Sequence, residues 1–311
     1  MVNDCLHTPF NPDLWSGRSD GPGPLHARWH SVIGPVADTP GIAVLGFASD
    51  EGVARNGGRV GAAQGPAALR GALSSLAIHD DRPRYDAGTI TTRGTDLESA
   101  QQAVTDTVAQ LVTAGHTVVC LGGGHETAWA THRGLHAATD GRSCAIINLD
   151  AHFDLREAPR ATSGTPFLQI AGLRGADFDY HVLGISRPNN TAVLFETAAA
   201  LGVHTVTDEE LLELSPSAAG ELVTQAAAHA DVVHLSIDLD GLPAAVAPGV
   251  SAPAGLGVSL THYRAMARAA AASGKLALVD VVELNPLFDV DARTARVAAR
   301  LIDDIITALP A

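Results

Sequence analysis

The sequence predicts an α/β fold in which a parallel sheet is covered by helices on both sides. Two observations predict it. Short apolar runs alternate with amphipathic stretches along the chain, the order expected when strands and helices succeed one another. The longer runs are apolar throughout rather than at every second position, as in strands buried on both faces.

The strands follow in order. "GIAVLGFAS" begins at Gly41, "YDAGTI" at Tyr85, "TVVCLGG" at Thr117 and "CAIINLD" at Cys144. "YHVLGIS" begins at Tyr180, "HTVT" at His204, "VVHLSID" at Val232 and "LALVDVVEL" at Leu276. Between them, "TDLESAQQAVTDTVAQLVTAG" reads as a helix with a capping box at Thr95 and Glu98 and a stop at Gly115. "ARTARVAARLIDDIITAL" reads as a closing helix with Val297, Leu301, Ile305 and Leu309 on one face. No repeat and no shift in composition divides the 311 residues. They read as a single domain, with residues 1–40, rich in Pro and Gly, wrapping its surface.

A net charge of −14 argues against a nucleic-acid partner. No apolar stretch approaches membrane-spanning length. The first residues show neither a basic nor an apolar leader region, so the expected location is the cytoplasm. Cys120 and Cys144 sit inside apolar runs and read as small core residues, and Cys5 as an exposed thiol.

Sites in an open parallel sheet collect at the carboxyl ends of the strands. Four runs here end in chemistry-bearing residues. "CLGGGHE" supplies His125, "INLDAHFD" supplies Asp150, His152 and Asp154, "LSIDLDG" supplies Asp238 and Asp240, and "VDVVELNP" supplies Glu283. Alternation along an extended chain would put Asp150, His152 and Asp154 on one side, with Ala151 and Phe153 on the other. Carboxylates crowded at one edge repel unless cations lie between them, and a pair of divalent metals resolves the repulsion. A donor set of oxygens with two imidazoles suits Mn²⁺; Zn²⁺ and Fe²⁺ also fit it. "GGG" before His125 lacks the Lys-Ser/Thr of a phosphate loop.

At these residues the chain resembles the ureohydrolase superfamily of arginase, agmatinase and formimidoylglutamase. The likeness is closest to the formimidoylglutamase branch, carried by "GGGHETA", "DAHFDLR", "TSGTPFLQI", "GISRPNNTAVLF", "SIDLDGL" and "DVVELNP". "LWSGRSDG" and "NGGRVGAAQGPAALR" extend it towards the N-terminus. The resemblance implies a three-layer α/β/α fold around a mainly parallel eight-stranded sheet, homo-oligomers and two Mn²⁺ per chain. It assigns one ion to His125, Asp150, Asp154 and Asp238, and the other to His152, Asp150, Asp238 and Asp240. The implied reaction is hydrolysis of N-formimidoyl-L-glutamate to L-glutamate and formamide, a late step of histidine degradation. Glu283 would hold the amidinium, and Asp154 would carry a proton to the leaving amine. Arginases place a proton-shuttling histidine in the loop after DxHxD; here Ser163 of "SGTPF" takes that place. Arg156 and Arg187 suggest an anionic substrate tail. Two alternatives stand beside this reading. One is an agmatinase or another guanidino or amidino hydrolase; the other is a non-catalytic metal-binding relative.

Overall fold

A computed structural model describes residues 6–310; Cys5 lies outside the described residues. Ten strands form one sheet. They are β1 (His7–Thr8), β2 (Gly34–Pro35), β3 (Ile42–Ala48), β4 (Arg84–Thr91) and β5 (Thr117–Leu121). The rest are β6 (Cys144–Leu149), β7 (Asp179–Ile185), β8 (His204–Thr207), β9 (Val232–Asp238) and β10 (Leu276–Val282). Their spatial order is β1-β4-β3-β5-β10-β9-β6-β7-β8, with β2 also paired to β4. All pairings are parallel except β1 with β4.

The eight expected strands are β3 to β10. The two additional ones have only two residues each and join the sheet through β4, too short for any periodicity to reveal.

Alternate strand residues feed two apolar cores, one on each face of the sheet. Val44, Val119, Ile147, Leu235 and Val279 pack with the helices Gly65–Ser74, Pro216–Ala228, Leu260–Ala272 and Arg293–Ala308. Leu45, Val118, Ile146, Val182 and Leu278 pack with the helices Leu97–Thr113, Thr127–Ala138, Pro166–Arg174 and Ala192–Ala200. Three layers result, as the doubly apolar strands predicted. Cys120 and Cys144 are buried and free. In the closing helix Leu301, Ile302, Ile305 and Ile306 are buried; Val297 is half-buried and Leu309 lies just past its end. No helix among the described residues is long and apolar enough to cross a membrane.

Two local expectations are corrected. The helix Leu97–Thr113 is capped by Asp96, whose carboxylate accepts the Ser99 N–H at 3.2 Å, not by Thr95. Glu98 therefore has no reciprocal cap to make and pairs instead with Arg55 at 2.8 Å and Arg160 at 2.9 Å. Residues 6–40 also do more than wrap the surface. Trp15 and Trp29 are buried and stacked, with ring centroids 6.0 Å apart. The Trp15 indole donates to Asp86 at 2.7 Å, and Arg70 donates to the same carboxylate through two bonds of 2.8 Å.

This fully buried pair ties the N-terminal segment to β4. Asp86→Ala should lower stability by about 3–5 kcal/mol, because it strands the Arg70 charge and the Trp15 N–H away from water. The denaturant midpoint checks it. An unchanged midpoint would show that Arg70 finds another partner.

Candidate metal centre

The chain runs outward from β3 to β4 and, later, from β6 through β7 to β8. Strands β10 and β9 fill the gap between β5 and β6. The carboxyl ends of β5, β10, β9 and β6 are therefore adjacent, and this reversal of strand order opens a crevice. His125 follows β5, Glu283 follows β10, Asp238 ends β9, and Asp150 follows β6.

The side chains converge by turning rather than by strand alternation. β6 stops at Leu149, and Asp154 sits in left-handed backbone at φ 50°. Asp240 lies in a one-turn helix, Leu239–Gly241, where its N–H donates to Asp238 Oδ1 at 2.8 Å. Glu283 is also left-handed, at φ 67°. Such backbone is costly for a residue with a β-carbon and collects at functional sites. Its N–H is held by the Gly123 carbonyl at 2.8 Å. The glycines before His125 serve close packing: a β-carbon on Gly123 would lie 1.7 Å from the Ser49 carbonyl oxygen.

His125 Nδ1 lies 3.2 Å from Asp150 Oδ2, 3.0 Å from Asp154 Oδ2 and 3.0 Å from Asp238 Oδ2. His152 Nδ1 lies 3.2 Å from Asp240 Oδ2 and 3.5 Å from Asp150 Oδ1. Two donor groups thus form: His125 with Asp150 and Asp238, and His152 with Asp150 and Asp240. Asp150 belongs to both. The six sequence candidates stand together with Glu283, whose Oε1 accepts the His125 N–H at 2.9 Å.

This cluster is electrostatically crowded. Burial drives Asp238 well above the usual carboxylate range, and the charges of Asp240 and Asp150 add to it. Burial also raises Asp240, to about 6, although His152 pulls the other way. Asp154 is raised chiefly by burial. Burial opposes charge on both histidines, yet the carboxylates prevail. His125 is held well above its ordinary value through Asp150, Asp154 and Asp238, and His152 at about 12 through Asp240 and Asp150.

Two residues that the sequence reading missed support the cluster from below. Asn148 Nδ2 donates to Asp150 Oδ2 at 2.9 Å, and Ser236 Oγ meets His125 Nε2 at 2.9 Å. Asn148 lies two residues before Asp150, which follows β6, and Ser236 two before Asp238 on β9, so the strand period was the signal that could have found them. Glu126 was also missed. It is fully buried and accepts from Ser49 Oγ and the Gly52 N–H, both at 3.0 Å.

The structure does not join the three expected substrate contacts to the cluster by hydrogen bonds. Arg156 is exposed beside a cavity of about 430 Å³ that Thr165 and Gln169 also line. Its N–H donates to the Gly164 carbonyl at 2.9 Å, which sets it next to the Ser163 loop. Ser163 is buried and its hydroxyl accepts from Asn56 Nδ2 at 3.3 Å. Arg187 is exposed just past β7, its guanidinium 6.0 Å from the centre of the Phe195 ring.

The arginase family pattern matches residues 40–307. The chain belongs to the arginase family. It is 49% identical to a formimidoylglutamase of Corynebacterium efficiens over 312 residues, covering 99% of this chain and 98% of that one. It is 52% identical to a formimidoylglutamase of Nocardia farcinica over 299 residues, covering 94% and 96%. Among solved structures, Trypanosoma cruzi formiminoglutamase with Mn²⁺ matches at a TM-score of 0.79 and 29% identity, over 87% of this chain and 95% of that one. Formimidoylglutamase from Bacillus subtilis shares the fold at a TM-score of 0.83, over 91% of each chain.

Proposed function

We propose that this arginase-family chain hydrolyses N-formimidoyl-L-glutamate to L-glutamate and formamide with two Mn²⁺ ions. The near-full-length likeness to formimidoylglutamases carries the choice of substrate.

The residues fit a pair of divalent ions. The buried His125 Nδ1 faces three carboxylates, and neither it nor the buried Asp240 Oδ1 has a hydrogen-bond partner. His125, Asp150, Asp154 and Asp238 would hold one ion, and His152, Asp150, Asp238 and Asp240 the other, with Asp150 and Asp238 shared. When bound, the ions supply Lewis acidity and a nucleophilic water at neutral pH.

The protein's own groups do the rest. Burial, then the charges of Asp238 and Glu126, disfavour the ionised form of Glu283. A cationic amidinium beside it reverses that balance, so Glu283 binds the reactive end of the substrate as an ion pair. Its Oε1 is engaged by the His125 N–H, which leaves Oε2 for the ligand. As the bond between the amidine carbon and the glutamate nitrogen breaks, Asp154 delivers a proton to that nitrogen. Ser163, on the loop beside Arg156, lines the path of the substrate. Arg156 and Arg187 grip its carboxylates. We further place the chain in the cytoplasm, as a homo-oligomer, in keeping with its family resemblance.

Formamide release by chelator-stripped protein tests the metal requirement. Activity should rise with added Mn²⁺ and level off at two ions per chain. Full activity of the stripped protein would contradict it.

The carboxylate grip makes a separate prediction. A guanidinium engages a carboxylate through two parallel bonds that an ammonium cannot reproduce. Arg156→Lys should lower kcat/KM roughly tenfold to a hundredfold with Mn²⁺ content unchanged, the value of a hydrogen bond to a charged group. Arg187→Lys should cost less, because Arg187 already acts on a neighbour. The Glu210 carboxyl is held below its usual range first by bonds from Thr207 and then by the Arg187 charge. Wild-type kcat/KM in both variants would assign the substrate tail to another wall.

A further inference from the structure

At the end of the sheet opposite the carboxylate cluster, Asp179 begins β7 and His204 begins β8. The register pairs His181 with His204 across these parallel strands. Asp179, two residues before His181, projects from the same face. Adjacent strands lie about 4.8 Å apart, which brings the two imidazoles into contact. Their rings stack 4.3 Å apart and within 8° of parallel; imidazole nitrogens bind a metal in the ring plane, so the exposed His204 ring must rotate for both to meet one ion. His181 Nε2 also meets Asp179 Oδ1 at 2.9 Å. One donor atom from each residue lies within 4.8 Å of the other two. Asp179 and His181 are half-buried and His204 is exposed, so an ion can reach them from solvent.

We propose that Asp179, His181 and His204 form a second divalent-metal site, separate from the catalytic cluster and suited to Zn²⁺ or a similar borderline ion. Two imidazoles and one carboxylate make three protein ligands, with a fourth position left to water. Imidazole-rich donor sets favour Zn²⁺, Ni²⁺ and Cu²⁺, whereas the oxygen-rich cluster at the other end suits Mn²⁺. The two sites differ in chemistry as well as in place. β8 is the last strand of the sheet, so an ion held here pins that edge to β7. Because it binds the folded chain, it also raises thermal stability.

The test uses the Mn²⁺-loaded protein. Zn²⁺ is titrated while bound zinc is counted by elemental analysis and released Mn²⁺ is followed by its paramagnetic resonance. Wild type should take up one Zn²⁺ per chain before Mn²⁺ is released, with a rise in Tm. His204→Asn should bind that ion at least tenfold more weakly, since even an outer contact to a metal ligand is worth about ten- to a hundredfold. Its Mn²⁺ content and activity should stay at wild-type values, because His204 is exposed and remote from the catalytic cluster. His181→Asn should show the same loss of zinc. Zinc uptake matched from the start by Mn²⁺ release would overturn the proposal. So would wild-type zinc affinity in His204→Asn.

Discussion

Asp238→Ala should retain less than one tightly bound Mn²⁺ per chain and almost no turnover. Its Oδ2 lies 3.0 Å from His125 Nδ1, and its Oδ1 fixes the Asp240 N–H at 2.8 Å. Losing it removes a shared ligand and loosens a second one. Even an outer contact to a metal ligand is worth about ten- to a hundredfold in affinity, so loss of a ligand that both ions share should weaken metal binding more than a hundredfold. The same substitution should raise the Tm of metal-free protein, because it removes one of the crowded carboxylates. Elemental analysis and thermal melts with and without chelator read both effects. Two retained ions, or a lower Tm in both states, would place Asp238 outside the shared position.

Glu283→Gln should keep both ions and lose turnover by about 10²–10³, the usual effect of removing one preorganised electrostatic contact to a developing charge. Glutamine preserves shape, and its carbonyl oxygen can still accept the His125 N–H that Glu283 Oε1 accepts at 2.9 Å. The charge that opposes the amidinium is what disappears. The loss should fall on kcat at least as much as on KM, because the contact strengthens as the reaction proceeds. A variant of normal kcat with normal Mn²⁺ content would remove Glu283 from the mechanism.

Much of this molecule was legible in its sequence because two strong signals coincide. Short runs apolar on both faces fit buried strands, and every one named above, from Ile42 to Val282, lies in the sheet. Titratable residues directly after four of those runs then meet wherever the strands are neighbours. What stayed hidden depends on local geometry that periodicity does not encode. Asp150 to Asp154 form a loop, and the left-handed turn at Asp154, not the strand pleat, aims its carboxylate at His125. Asp96 displaces Thr95 as the helix cap because either residue offers an acceptor and only the backbone path selects one. Trp15 and Trp29 sit in a Pro- and Gly-rich stretch that reads as surface, yet Trp15 bonds Asp86 and Trp29 packs under the Arg84 guanidinium, both far along the chain. Arg156 and Arg187 are both exposed, and an exposed arginine that grips a substrate has the same sequence and burial as one that faces solvent.

The central claim is the substrate, and product analysis with Mn²⁺-loaded protein tests it most directly. The protein is given N-formimidoyl-L-glutamate, L-arginine and agmatine in parallel, with formamide, urea and glutamate measured at each concentration. The account predicts equimolar formamide and glutamate from the first substrate, with kcat/KM far above that for the other two. Urea from arginine or agmatine at equal or greater kcat/KM would contradict it.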